Sequence, residues 1–142
     1  MILIKKCIFA AKKETMTENE IAREVVDAAL KVHKALGPGL LEKPYHECLF
    51  YELRKRGFWV VNEKWMPLVY EDLYIDHAFK IDLVVEDKVI VEVKSVSEIA
   101  GIHMAQTLTY LKVGGYKLGL LLNFNVEMMR DGIKRVILGK VK

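Results

Sequence analysis

Cysteine is scarce in this chain of 142 residues: Cys7 and Cys48 are the only two. Two widely separated thiols supply neither a disulfide framework nor the close pairs of a thiolate zinc site, so the expected setting is a reducing, cytoplasmic one. Long apolar runs are lacking as well. No stretch approaches the roughly 18 residues of a membrane span, and Lys5 and Lys6 interrupt the apolar start before a signal-peptide core can form. No membrane partner is expected. Charge of one sign is not in excess either, since 22 Lys and Arg stand against 19 Asp and Glu. The resulting net charge of +3 permits contact with nucleic acid without demanding it.

What remains is an ordinary globular composition, 52% hydrophobic and 29% charged, in a length suited to one domain that can bury its own core. Met16 lies just before a strong helix start, so residues 1–16 read as an N-terminal extension, a tail or short edge strand, and residues 17–142 as the single domain. Thr17-Glu18-Asn19-Glu20 fits a capping box. The helix it opens runs to about Leu36, with Ile21, Val25, Ala28, Ala29, Val32 and Leu36 as its core stripe and His33 at its surface or boundary. Gly37-Pro38-Gly39 ends it.

A second helix is expected over 40–55, with Pro44 tolerable only in its first turn and Gly57 closing it. On a helical wheel Glu42 falls within about 20° of Leu49 and Leu53, which points it inward. Glu47 comes out on the solvent side. Strands follow over 58–64, 68–70 and 74–85, with Pro67 marking a break or an edge. Beyond a hairpin at 81–94 comes a helix over 98–113, stopped by Gly114-Gly115, which carries His103, Gln106 and Tyr110 on one face. An apolar strand over 117–124, a short turn or helix near 127–130 and a last strand over 133–138 complete the chain.

The hairpin holds the chemistry. Ile81-Asp82-Leu83-Val84-Val85 and Val89-Ile90-Val91-Glu92-Val93-Lys94 are the most apolar strands in the sequence, yet they contain an aspartate, a glutamate and a lysine. Isolated ions in such surroundings are costly unless paired or bound to a metal. Alternation puts Glu92 and Lys94 on one face. A three-residue loop of Glu86, Asp87 and Lys88, with Val85 opposite Val89, places Asp82 across from Glu92 on that same face, whereas a two-residue loop would not.

The order helix, three strands bearing D…E-x-K, helix, strand resembles the PD-(D/E)XK nuclease superfamily. Within it, Gly39-Leu40-Leu41-Glu42-Lys43-Pro44-Tyr45 is similar to the motif of the GxxExxY proteins. The resemblance runs from about Thr17 to Leu138 and takes in His103-x-x-Gln106-x-x-x-Tyr110. It implies an α/β fold with a restriction-endonuclease-like αβββαβ core: a central mixed sheet flanked by helices, here with an extra N-terminal helix. The implied activity is Mg²⁺-dependent or Mn²⁺-dependent hydrolysis of DNA or RNA.

Hard oxygen ligands suit such ions, and Asp82, Glu92 and the Val93 carbonyl would supply them, with Glu42 acting on the same ion through water or helping a second. Lys94 would orient and help deprotonate the attacking water, and the resemblance implies that Gln106 and Tyr110 steady the lysine or a phosphate oxygen. Two alternatives stand beside this. The charged set could be a salt-bridged Asp82–Lys94–Glu92 cluster that only rigidifies the fold, and the protein a non-catalytic module for binding nucleic acid or for protein assembly. Apolar residues beyond the needs of one core, Trp59, Val61, Trp65, Met66, Met128 and Met129, suggest a patch that pairs two chains as a homodimer.

Overall fold

The computed structural model describes Lys13 and residues 15–142; the tail or edge strand expected near the N-terminus, Cys7 included, lies outside the described residues. Helix α1 spans Glu18–Leu36 and α2 spans Glu42–Lys55; then come β1, Val60–Tyr70, β2, Leu73–Val85, and β3, Val89–Lys94. Helix α3, Gly101–Gly114, leads to β4, Leu118–Asn123, a 3₁₀ turn over Met129–Gly132, and β5, Ile133–Ile137. The strands form one mixed sheet in sequence order, antiparallel except for the parallel pair β3 and β4. This is the αβββαβ architecture, with α1 as the extra N-terminal helix.

Sequence chemistry accounts for the boundaries. Thr17 caps α1 in a full capping box, its hydroxyl accepting from the Glu20 N–H while the Glu20 carboxylate accepts from the Thr17 N–H. Gly57, at φ +86°, closes α2, and Gly115, at φ +76°, closes α3. The third helix starts later than its pattern suggests, because the His103 ring reaches back to accept from the Ala100 N–H at 3.0 Å and fixes the first turn there.

Helices α1 and α2 cover one face of the sheet, where Ile21, Val25, Leu49 and Leu53 meet Leu83, Val91, Leu120 and Leu122. Helix α3 covers the other, where Leu111 and Tyr110 meet Ile90 and Leu121. It seats closely against β4: a Cβ on Gly119 would lie 2.8 Å from the Thr107 methyl and 3.0 Å from Ile90. Among the described residues no helix is long and apolar enough to cross a membrane.

Several expectations need correction. Leu36 is exposed at the end of α1, and His33 is buried, its Nε2 2.7 Å from the Val126 carbonyl. Burial is tolerable because that carbonyl satisfies the ring. Of the two readings of Pro67, a break or an edge, the edge holds: β1 runs through it as an edge strand, with a register shift between Met66 and Leu68 where the proline lacks an N–H. Met66 and Met129 belong to the core rather than to a surface patch, and Val61 is half-buried against α3's side of the sheet. Trp59, Trp65 and Met128 remain exposed.

Candidate active site

Hairpin register places the two acidic strand residues opposite one another. Val85 faces Val89, Val84 faces Ile90 and Leu83 faces Val91, as a three-residue loop requires, so Asp82 comes next opposite Glu92. Backbone pairing of β2 with β3 stops at Leu83, and side chains take over. Asp82 Oδ2 accepts from the Val93 N–H at 2.8 Å, and Glu92 Oε1 accepts from the Asp82 N–H at 3.1 Å.

The two carboxyl groups interact directly with one another, although side-chain alternation along β2 is irregular at this point. Leu83 and Val85 pack under α1 and α2, yet Phe79 and Ile81 pack with Val84 on the α3 side, so the alternation breaks at Asp82. Strand β1 breaks with it, at Glu63, which takes a left-handed φ of +58° although it is not glycine. Such a conformation costs on the order of 1 kcal/mol or more and is held by its surroundings. Asp82 lines a cavity of about 550 Å³ with Val93. Glu92 stays buried at 4% exposure.

Burial sets the electrostatics of this pair. Glu92 has its pKa pushed up to about 8, first by desolvation and then by the charge of Asp82. Lys94, the next outward residue on the strand, acts on Glu92 in the opposite direction through its charge, but among the described residues it makes no ion pair within 4 Å. A salt-bridged Asp82–Lys94–Glu92 cluster is therefore not formed. On the far side, Tyr110 lies 7% exposed with its ring stacked on Phe79 at 4.5 Å. Its pKa is raised by burial, by Glu92 and by Asp82, and its hydroxyl bonds the Gln106 side chain. Gln106 itself is exposed. Tyr110 and Gln106 are thus hydrogen-bonded to one another within range of the Glu92 charge.

Glu42 reaches the site differently from the wheel's inward placement. As the first residue of α2 it is exposed, and it lines the cavity together with Asp82 and Val93 rather than entering the core. Its position is fixed by its neighbours in the G-x-x-E-x-x-Y segment. Gly39 takes φ +100°, and the buried Tyr45 hydroxyl donates to the Gly37 carbonyl at 2.5 Å and accepts from the Leu40 N–H at 3.1 Å. The Tyr45 ring stacks on Phe124 of the core at 4.6 Å. From the other strand, the Ser95 hydroxyl, one residue past Lys94, donates to the Leu40 carbonyl at 2.5 Å. The loop before Glu42 is pinned to both the core and β3.

Other residues arrive at the cavity that sequence reasoning did not assign to it. His46, four residues after Glu42 and so on the same helix face, sits with Nε2 2.6 Å from Asn62 Oδ1; the i, i+4 spacing was the available signal. Asn62 and Glu63 come from β1, through a pairing that only the fold reveals. Asn123 also does more than end β4: its side chain accepts from the Val96 N–H and donates to the Val96 carbonyl, at 3.1 and 2.9 Å, locking the segment just past Lys94.

The residues fit a hard divalent cation. Among the described residues no three His, Cys, Asp or Glu side chains come together as a metal-holding group, so the donors available are two carboxylates and a main-chain carbonyl, all oxygen. One oxygen of each carboxylate is oriented by a backbone N–H. Glu92 in its charged form has the electrostatic need that a cation beside Asp82 would meet.

Comparison with protein families agrees with this geometry. Residues 19–136 match the profile of the PD-(D/E)XK nuclease superfamily, and the chain belongs to it. Neither the curated proteins nor the solved structures give a match.

Proposed function

We propose that the protein is a divalent-metal-dependent nuclease that hydrolyses phosphodiester bonds in DNA or RNA. The observation that carries this reading is the buried Glu92 opposite Asp82, two oriented carboxylates that make no ion pair among the described residues, at the open end of a hairpin. Superfamily membership adds that such domains typically act on nucleic acid with a divalent metal.

In this reading Asp82, Glu92 and the Val93 carbonyl would hold Mg²⁺ or Mn²⁺, and Glu42, which lines the same cavity, would assist that ion through water or help a second one. When bound, the ion supplies charge neutralisation at the phosphate and a water that deprotonates near neutral pH. Lys94, which makes no ion pair among the described residues, orients the attacking water through its ammonium and offsets charge on the phosphate, while the water's proton leaves to solvent. Tyr110, oriented by Gln106 and by stacking on Phe79, steadies a phosphate oxygen or Lys94. Assignment to the GxxExxY proteins within the superfamily belongs to the same proposal. It is supported by the roles of Gly39, Glu42 and Tyr45 in bringing the start of α2 to the cavity.

The test is a cleavage assay on single-stranded and double-stranded DNA and RNA, with Mg²⁺, with Mn²⁺ and with chelator, beside Lys94→Ala. Metal-dependent cutting lost in the variant supports the nuclease. Binding without cutting under every condition supports the non-catalytic module instead.

A further inference from the structure

Beyond Leu83 the β1–β2 hairpin has no β3 partner, and its outer part projects past the ends of β3 and β4, beside the candidate site. Most of what it exposes near the tip is apolar or acidic. One cluster differs. Trp65 is 51% exposed, yet its ring is held: the His77 ring meets it edge-on at 5.4 Å and 88°, and Lys80 Nζ stands 5.5 Å from its centroid. Lys80 in turn pairs with Glu63 at 3.3 Å, and Glu63 lines the cavity.

The register connects this ring to Asp82. Trp65 lies directly across from Lys80, and paired residues share a face. Phe79 and Ile81 occupy the α3 side, so Lys80 between them points to the α2 side, and Trp65 with it, toward the cavity that Asp82 and Glu63 line. The tryptophan therefore stands on the cavity's face, one strand over from Lys80, which is two residues or about 7 Å along β2 from Asp82. A large, oriented, half-open aromatic surface flanked by a lysine and a histidine is unusual beside an acidic cavity. An indole face attracts any π-system, and an adjacent cation suits the phosphate attached to it.

We propose that Trp65, with Lys80 and His77, is a stacking platform for an unpaired nucleobase of the strand whose phosphate lies at Asp82. This rests on the nuclease reading and deepens it. Bases within a duplex stack on one another and present no free face, so the platform assigns the substrate class: single-stranded nucleic acid, or the unpaired end or loop of a longer molecule. An indole reads every base, so little sequence preference is expected.

The experiment measures binding separately from cleavage. Trp59 and Trp65 are the two tryptophans of the chain, so Trp59→Phe leaves Trp65 as the only indole reporter. In chelator, its fluorescence is followed on addition of a short single-stranded oligonucleotide, the same strand made abasic, and a blunt duplex, while anisotropy gives affinities for Trp65→Ala and Trp65→Phe in the wild-type background. Expected are quenching by the base-bearing single strand only, a loss of affinity of about tenfold or more in Trp65→Ala, and most of that affinity kept in Trp65→Phe. Equal affinity for abasic and base-bearing strands, or unchanged affinity in Trp65→Ala, overturns the platform. So does a wild type that is dimeric by light scattering while Trp65→Ala is monomeric with unaltered oligonucleotide binding, which would make the ring a contact between two copies. Single-strand binding lost in Trp65→Ala, in a wild type that cuts nothing with Mg²⁺, would leave the platform standing and refute the nuclease; metal-dependent cutting with unchanged binding in the variant would do the reverse.

Discussion

Asp82 and Glu92 each hold the backbone of the other's strand: the aspartate accepts from the Val93 N–H at 2.8 Å, and the glutamate accepts from the Asp82 N–H at 3.1 Å. The exchange replaces the ladder hydrogen bonds where β2 and β3 cease to pair, and it orients two carboxylates toward one another in a largely dry setting. Their mutual repulsion is the main feature from which the behaviour of the site follows.

Stability should depend on pH through Glu92. Its pKa is raised to about 8 in the fold, from an ordinary value of 4.5, so between those values the folded state holds a proton that the unfolded chain has released. Metal-free protein is then expected to lose stability as pH rises from about 5 to 8, and Glu92→Gln should flatten that slope. Chemical denaturation of both proteins across the range checks it. A wild-type stability that rises over this window would reject the buried, charge-starved glutamate.

Lys94→Ala should reduce turnover at least about a hundredfold, the size of effect expected when a group that balances developing charge is removed. Because Lys94 makes no ion pair among the described residues, the fold should survive, and Mg²⁺ should still raise Tm. Single-turnover rates beside melts with and without Mg²⁺ separate the two effects.

Tyr45→Phe should keep the ring stacked on Phe124 while removing both hydroxyl bonds, to Gly37 and to Leu40. A loss of about 0.5–1.5 kcal/mol in urea unfolding is expected, since two part-buried hydrogen bonds are removed while the backbone groups at half-buried Gly37 and exposed Leu40 can turn to water. Turnover should fall as well, because the freed loop no longer fixes Glu42 at the cavity.

Gly119→Ala tests the seating of α3. Its Cβ would meet Thr107 at 2.8 Å and Ile90 at 3.0 Å, so the helix must shift or the core must strain, at a cost of about 1–3 kcal/mol. Denaturant midpoints measure that cost, and a neutral substitution would mean that α3 packs more loosely than described.

Much of this was legible in the chain. Counting loop residues was enough to place Asp82 opposite Glu92, because side-chain period and loop length jointly set register. The capping box at Thr17 and the glycines ending helices were equally local. Glu42 shows where such reading stops. A helical wheel gives direction around an axis but not depth along it; the stripe that buries Leu49 and Leu53 over the sheet continues past the sheet's rim and presents Glu42 to a cavity. Nor could alternation foresee its own failure at Asp82, since that depends on Glu63 of another strand adopting φ +58°. His33 finds its acceptor at Val126 and His46 meets Asn62, partners that only tertiary packing supplies.

The central claim is that Asp82 and Glu92 form one cation site, and calorimetric titration with Mn²⁺ near pH 7 tests it most directly. At that pH Glu92 is largely protonated, so binding must displace its proton, and the measured heat must vary with the ionisation enthalpy of the buffer. The account predicts saturable binding with proton release in the wild type and neither in Asp82→Asn or Glu92→Gln. Absence of binding in the folded wild type, or binding that survives both substitutions, would contradict it.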